Sequence, residues 1–179
     1  PPTDFTGADL DAVLFASPSA VAGAFGRPTI INNVETLAMV GPILERGADW
    51  FKSMGMARPD GAPPNAPASY GPKLFGISGH VNRPGVYEEE LGIKLSDLIE
   101  QYGQGIRNGK QFKAAIPGGI SCGVLSPDQY DAELEFDMGR KYNCLGLGTA
   151  GVIVMDEDTD MVKVARNMAR FFARESCGQ

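Results

Sequence analysis

The chain has 179 residues, 43% of them hydrophobic and 21% charged, with a formal net charge of −6. This size allows one domain or two small ones, and the composition is that of a globular chain rather than a disordered one. The acidic balance argues against nucleic acid as a partner, and no apolar run reaches the ~18 residues of a membrane span.

In chain order, residues 1–28 are rich in Pro, Gly, Ala and Ser and read as a connecting arm. They have no basic segment leading into an apolar core, so they do not read as a secretory signal. "PTII" predicts a short strand, and Asn32 or Asn33 is placed to cap the helix that follows, with Glu35 in its first turn. Gly41 and Pro42 predict a break near Gly41. "ILERGADWFKSMG" then reads as a second short helix offering Ile43, Leu44, Trp50 and Phe51 to a core. Residues 55–72 are Pro- and Gly-rich and read as a linker.

The periodicity changes after the linker. "KLFGISGHV", the turn "NRPG" and "VYEEEL" predict a β-hairpin. "KLSDLIEQYG" predicts a short amphipathic helix with Leu95, Leu98, Ile99 and Tyr102 on one face and Gly103 as its stop. "FKAAIPGG" supplies a third strand, and these pieces predict a self-contained unit over 73–119 with the helix across a small sheet. From residue 120 onward the reading is a polar, irregular connection and then a glycine-rich turn into the buried strand "GVIVMD". The last element is an amphipathic helix whose apolar face carries Met161, Val164, Ala165, Met168, Phe171 and Phe172.

Catalytic groups are sparse. His80 is the only histidine and reads as structural or solvent-facing; no catalytic-triad pattern, HExxH or phosphate-binding loop occurs. Gly146, Gly148 and Gly151 have the spacing of a dinucleotide fingerprint. They precede a strand instead of following one, so they read as turn or close-packing glycines. "INNVET" places two side-chain amides and unpaired backbone donors at a helix start, suited to an anion or the polar edge of a flavin, or simply to a helix cap. The three cysteines, Cys122, Cys144 and Cys177, are far apart, which argues against a disulfide framework and favours a reducing compartment. Cys177 follows a helix in "ESCGQ", and on composition alone it is an ordinary thiol.

"GRPTIINNVETLA", "KLFGISGHVNRPGVYE", "AAIPGG", "LGTAGVIVMD" and "FFARESCGQ" stand in the order found in one family. From about Gly26 onward the chain resembles the flavin- and NADH-binding (51-kDa, F-type) subunit of respiratory complex I, NADH:quinone oxidoreductase. It is similar too to the diaphorase subunits of NAD-dependent hydrogenases and formate dehydrogenases. The resemblance implies an α+β fold: a β-grasp (ubiquitin-like, soluble-ligand-binding) module inserted in the carboxyl-side part of an α/β flavoprotein domain. The implied segments are flavin domain 1–54, linker 55–72, β-grasp module 73–119, and 120–179 leading to an iron–sulfur domain. It implies that Asn32, Asn33 and Thr36 contact FMN and that Cys177 is the first ligand of a 4Fe–4S cluster, with no catalytic residue in this stretch.

The cofactors of the intact subunit are then FMN, NAD and the cluster. This chain alone is expected to hold none of them and to be inactive. The implied partners are NADH and other subunits of the respiratory complex, including a 2Fe–2S thioredoxin-like one, on the inner, cytoplasmic face of the cell membrane without insertion. Two alternatives stand beside this reading: a free-standing β-grasp binding module, and a diaphorase serving a hydrogenase or formate dehydrogenase.

Overall fold

The computed structural model describes residues 24–58 and 68–178, in two compact units that divide between Glu45 and Arg46. The amino-terminal arm up to residue 23 and the middle of the linker lie outside the described residues.

In the first unit, Ala24–Gly26 form a 3₁₀ turn and residues 27–33 have no regular structure, so "PTII" is not a strand. Helix α1, Val34–Arg46, runs unbroken through Gly41 and Pro42. Proline withholds one N–H and crowds the carbonyl of Ala38, but that turn is exposed, and water can take up a carbonyl freed there. The break falls instead at Gly47, whose φ of +89° suits glycine, and α2, Ala48–Lys52, follows it. Ile43 and Leu44 therefore belong to α1, and Leu44 is 81% exposed instead of serving a core.

The second unit is organised by strand alternation. Gly55–Met56 (β1) pairs with Ser69–Tyr70 (β2), so the ends of the expected linker form a small antiparallel ladder. Gly71 sits where a Cβ would lie 2.1 Å from the Phe51 ring, which fixes α2 against this ladder. Pro72–Gly79 (β3) and Gly85–Glu90 (β4) form the hairpin, with Phe75 and Ile77 turned inward. Leu95–Asp97 (α3) runs on as a π-helical turn, Leu98–Tyr102, in which the N–H of Gly103 reaches Leu98 O at 3.0 Å. Leu95, Leu98 and Ile99 on its inner face are fully buried.

Phe112–Ile116 (β5) is the third strand, but it does not pair with the hairpin. The sheet order is β4-β3-β6-β5, and the strand between is Gly151–Asp156 (β6), parallel to β3 and antiparallel to β5. Residues 73–119 thus lack the strand that joins their parts, since β6 lies outside them. The parallel β3–β6 pair requires a long crossover. That crossover runs from β4 through β5 and the stretch after it, and this stretch, read as a polar connection, carries core as well: Leu125, Leu134 and Met138, the last at the start of α4, Met138–Tyr142, are fully buried.

Helix α5, Met161–Glu175, lies on the opposite face. Its Met161, Val164 and Met168 pack on Ala114, Ile116 and Met155, while Ala165, Phe171 and Phe172 are exposed. The predicted apolar face runs along the whole helix, and the sheet contacts it only as far as Met168.

Candidate functional site

The helix start at Asn32–Thr36 is built by its own side chains. Asn33 Oδ1 accepts hydrogen bonds from the backbone N–H groups of Glu35 (2.8 Å) and Thr36 (3.3 Å), which satisfies two of the donors a helix leaves open. Asn32 and Thr36 are exposed beside it. The cap is therefore real, and it leaves the Asn32 amide and the Thr36 hydroxyl on one exposed patch at the positive end of α1. Both side chains are open to solvent.

Cys177 lies in the other unit, just beyond α5. Ser176 is extended, its N–H still bonded to Phe172 O at 3.0 Å, so the thiol leaves the helix and is exposed. Among the described residues no three His, Cys, Asp or Glu side chains are placed to share a metal ion. An iron–sulfur cluster is held by several thiolates, so the residues present do not fit one, and Cys177 counts at most as one contribution to such a site.

The glycine signals are structural. A Cβ on Gly118 would lie 1.6 Å from Leu147 O, and one on Gly148 would lie 2.4 Å from Gly118 O. The N–H of Thr149 bonds to Gly118 O at 3.1 Å, so the "IPGG" and "LGLGT" turns are locked backbone to backbone. This contact sets β5 against β6 and leaves no cradle for a pyrophosphate.

Two features were not singled out in the sequence. At the ends of β3 and β6, His80 Nδ1 lies 2.9 Å from Asp156 Oδ1, which also accepts from Thr159 Oγ1 at 3.1 Å. Asp156 is 1% exposed, and its Oδ2 has no hydrogen bond; Lys110 Nζ and Arg107 Nε stand 3.7 and 3.9 Å away. Burial pushes this carboxyl up. The His80 and Thr159 hydrogen bonds and the charges of His80 and Lys110 outweigh burial and hold it below the ordinary range. The acid-ended strand "VIVMDED" was the only hint of this cluster.

The second feature is a groove of about 520 Å³ lined by Asn82, Glu100, Lys110, Phe112 and Tyr130 among others. The Phe112 and Tyr130 rings lie 4.7 Å apart, tilted by 43°, and the Tyr130 hydroxyl donates to Glu100 Oε1 at 2.6 Å. Burial first, and then that carboxylate, push the Tyr130 hydroxyl well above its usual range. None of Asn32, Asn33, Thr36 or Cys177 lines this groove.

The hairpin, the crossing helix and the β6 strand together match the SLBB domain over residues 73–164, more than half of the chain. The chain belongs to the SLBB domain family. The match takes in β6, which agrees with the sheet order and extends beyond residue 119.

Curated relatives cover the chain more widely. The F 2 subunit of the NADH-quinone oxidoreductase of Rhizobium meliloti is 44% identical over 160 residues, 89% of this chain and 35% of that protein. The F subunit of the same enzyme in Rickettsia typhi is 45% identical over 158 residues, 88% of this chain and 35% of that one. Among solved structures, an air-oxidized NAD⁺-reducing [NiFe]-hydrogenase superposes with a TM-score of 0.66 at 34% identity, over 92% of this chain and 26% of that one. The SLBB chain is thus closely related to both groups, and it spans about a third of the length of these oxidoreductase subunits.

Proposed function

We propose that this chain supplies the carboxyl-side part of the NADH-oxidising flavoprotein subunit of an NADH:quinone oxidoreductase, with the SLBB domain inserted in it. The observation that carries the reading is 44% identity over 160 of its residues with an F subunit of that enzyme. In the intact subunit FMN and a 4Fe–4S cluster would supply the redox chemistry that takes electrons from NADH. The part assigned to this chain is positional. Asn33 fixes the start of α1, Asn32 and Thr36 offer polar contacts to FMN, and Cys177 contributes one of several thiolates. The chain alone is inactive on this reading, since one thiolate and one open patch complete neither site.

The subunit would sit at the inner, cytoplasmic face of the cell membrane beside a 2Fe–2S thioredoxin-like partner. None of the described helices is long and apolar enough to cross a membrane. A second reading, a diaphorase subunit serving a hydrogenase, draws on the structural match to the NAD⁺-reducing enzyme. The test compares this chain with the product of its full reading frame. The chain alone should be colourless and fail to oxidise NADH, and the full product should be yellow and reduce ferricyanide with NADH. A flavin spectrum that stays with the chain through gel filtration overturns the reading, as does a full product that neither binds flavin nor oxidises NADH. In that second case a free-standing SLBB binding module takes its place. Growth-linked dependence on hydrogen rather than quinone selects the diaphorase.

A further inference from the structure

Arg107–Gly109 form a 3₁₀ turn just before β5. Asn108 at its centre is left-handed, with φ 58° and ψ 21°, and Gly109 follows with φ +66°. Both residues are exposed, no residue of the turn is buried, and a Cβ added at Gly109 would meet nothing within 4 Å. Lys110 N–H reaches back to Arg107 O at 3.4 Å, beyond the ordinary range of such a bond. A turn held in this way opens locally at little cost. Asn108 is also the only asparagine in the chain that is followed by glycine. The pairing matters chemically, because the backbone nitrogen of the next residue can attack an asparagine side-chain carbonyl and close a five-membered imide. A Cβ on that next residue crowds the attack, and glycine has none. Asn143 is the internal comparison: it is left-handed too, at φ 54°, but Cys144 follows it, with its N–H bonded to Gly139 O at 3.3 Å. Asn33 and Asn82 have engaged side-chain amides, Asn33 Oδ1 accepting from Glu35 and Thr36 and Asn82 Nδ2 donating to Gln104 O at 2.7 Å.

We propose that Asn108–Gly109 is a self-modification site, at which the folded chain converts Asn108 to aspartate and isoaspartate without an enzyme. Asn108 first leaves its left-handed conformation so that Gly109 N reaches its Cγ, which the weakly closed turn permits. The N–Cγ bond forms as the Gly109 amide proton passes to a solvent base. The Cγ–Nδ2 bond breaks, and Nδ2 leaves as ammonia. Water then opens the imide at either of its two carbonyls. The sum is asparagine plus water giving ammonia and a carboxylate, on a normal or a lengthened backbone, with nothing oxidised or reduced. The new negative charge stands next in sequence to Arg107 and close to Lys110, the two cations that face Asp156 Oδ2. Gly109 and Lys110 also line the groove, so the isoaspartate form adds a backbone methylene to its rim. The proposal goes beyond the reading above and does not rest on flavin chemistry.

The experiment ages the purified chain in heavy-oxygen water at mildly alkaline pH, digests it and reads the peptides by mass spectrometry. One heavy oxygen should enter the peptide that holds Asn108, ahead of every other asparagine peptide. Aspartate and isoaspartate should both appear there, the second confirmed by labelling with an isoaspartyl methyltransferase. The rate in the folded chain should lie within about a hundredfold of the rate in urea, since only local opening is needed. Asn108→Gln, which would have to close a six-membered ring, should abolish the conversion, and Gly109→Ala should slow it. Circular dichroism should show both variants folded. The proposal is overturned by an Asn108 peptide that stays unlabelled, by faster labelling at another asparagine, or by aspartate without isoaspartate. Protection of the folded chain beyond about a hundredfold overturns it as well, because the turn then holds Asn108 closed.

Discussion

The helix-start unit and the sheet unit use apolar residues in opposite ways. Residues 24–45 include Phe25, Ile30, Ile31, Val34, Leu37 and Leu44, all exposed, and no side chain there is buried. The sheet unit seals Phe75, Leu95, Leu98, Ile99, Val152 and Val154 completely. At about 1.5–3 kcal/mol for each large apolar side chain removed from water, the second set accounts for a fold and the first for none. Helix α1 is specified locally, by the Asn33 cap, Glu35 in the first turn and Gly47 beyond the end, rather than by packing. Stability in this molecule is therefore concentrated in one unit, while the patch assigned to FMN contact lies in the other.

The largest expected effect follows from the strand order. Residues 73–119 expressed alone should show no cooperative melting, because the backbone partners of β5, namely β6 and Leu125, both lie outside that piece, and β6 is also the second neighbour of β3. Residues 46–179 should melt in one transition by circular dichroism. A cooperative melt of the shorter piece would show that the hairpin and helix suffice. Within the intact unit, Gly118→Ala comes next. Its Cβ would meet Leu147 O at 1.6 Å, backbone against backbone, and the loss should exceed ~4 kcal/mol in denaturant titration. A loss under ~1 kcal/mol would mean that the two glycine turns have room to move apart.

How much of this was legible in the sequence divides along the same line. The hairpin, the Leu95–Leu98–Ile99 face, an asparagine cap at Asn32 or Asn33 and the buried "GVIVMD" strand follow from local pattern, since each is decided by residues within a few positions. The place of β6 between β3 and β5 does not, because a long crossover leaves no local mark. The break at Gly47 instead of Gly41 turned on backbone sign: both are glycines, and only Gly47 adopts positive φ. The Asp156 cluster was hidden for the same reason as the sheet order, as His80 and Asp156 are brought together only by the parallel register. For the candidate site, a cap at Asn32 or Asn33 was readable from residue types, and the structure selects Asn33. The contacts that Asn32, Thr36 and Cys177 make were not, because each is exposed in the unit that holds it.

The Asp156 cluster gives a smaller, pH-dependent effect in the sheet unit. Its folded carboxyl titrates below the ordinary ~3.9, so the native state holds fewer protons than the unfolded chain near that pH. The contribution is therefore present in full above the ordinary value and is lost as pH falls through the lower, folded one. Melting temperature measured from pH 6 down to pH 2 should drop for the wild type across that window, and Asp156→Asn should flatten this part of the profile. Parallel profiles for the two proteins would remove Asp156 from the account.

The smallest effect is expected where the exposed apolar residues are. Leu44→Ala deletes a side chain that is 81% exposed on a helix, and alanine is at least as good a helix former as leucine. With no burial to lose and no propensity to lose, the chain alone should change by no more than about 0.5 kcal/mol. The same substitution in the full-length product reads something different. If the apolar residues of α1 are covered there, on the reading that this chain is part of a larger flavoprotein, the change removes a buried leucine and costs about 2–5 kcal/mol. Equal, small effects in both settings would mean that Leu44 stays exposed in the longer protein, and that the exposed apolar set of the first unit is no sign of a missing neighbour.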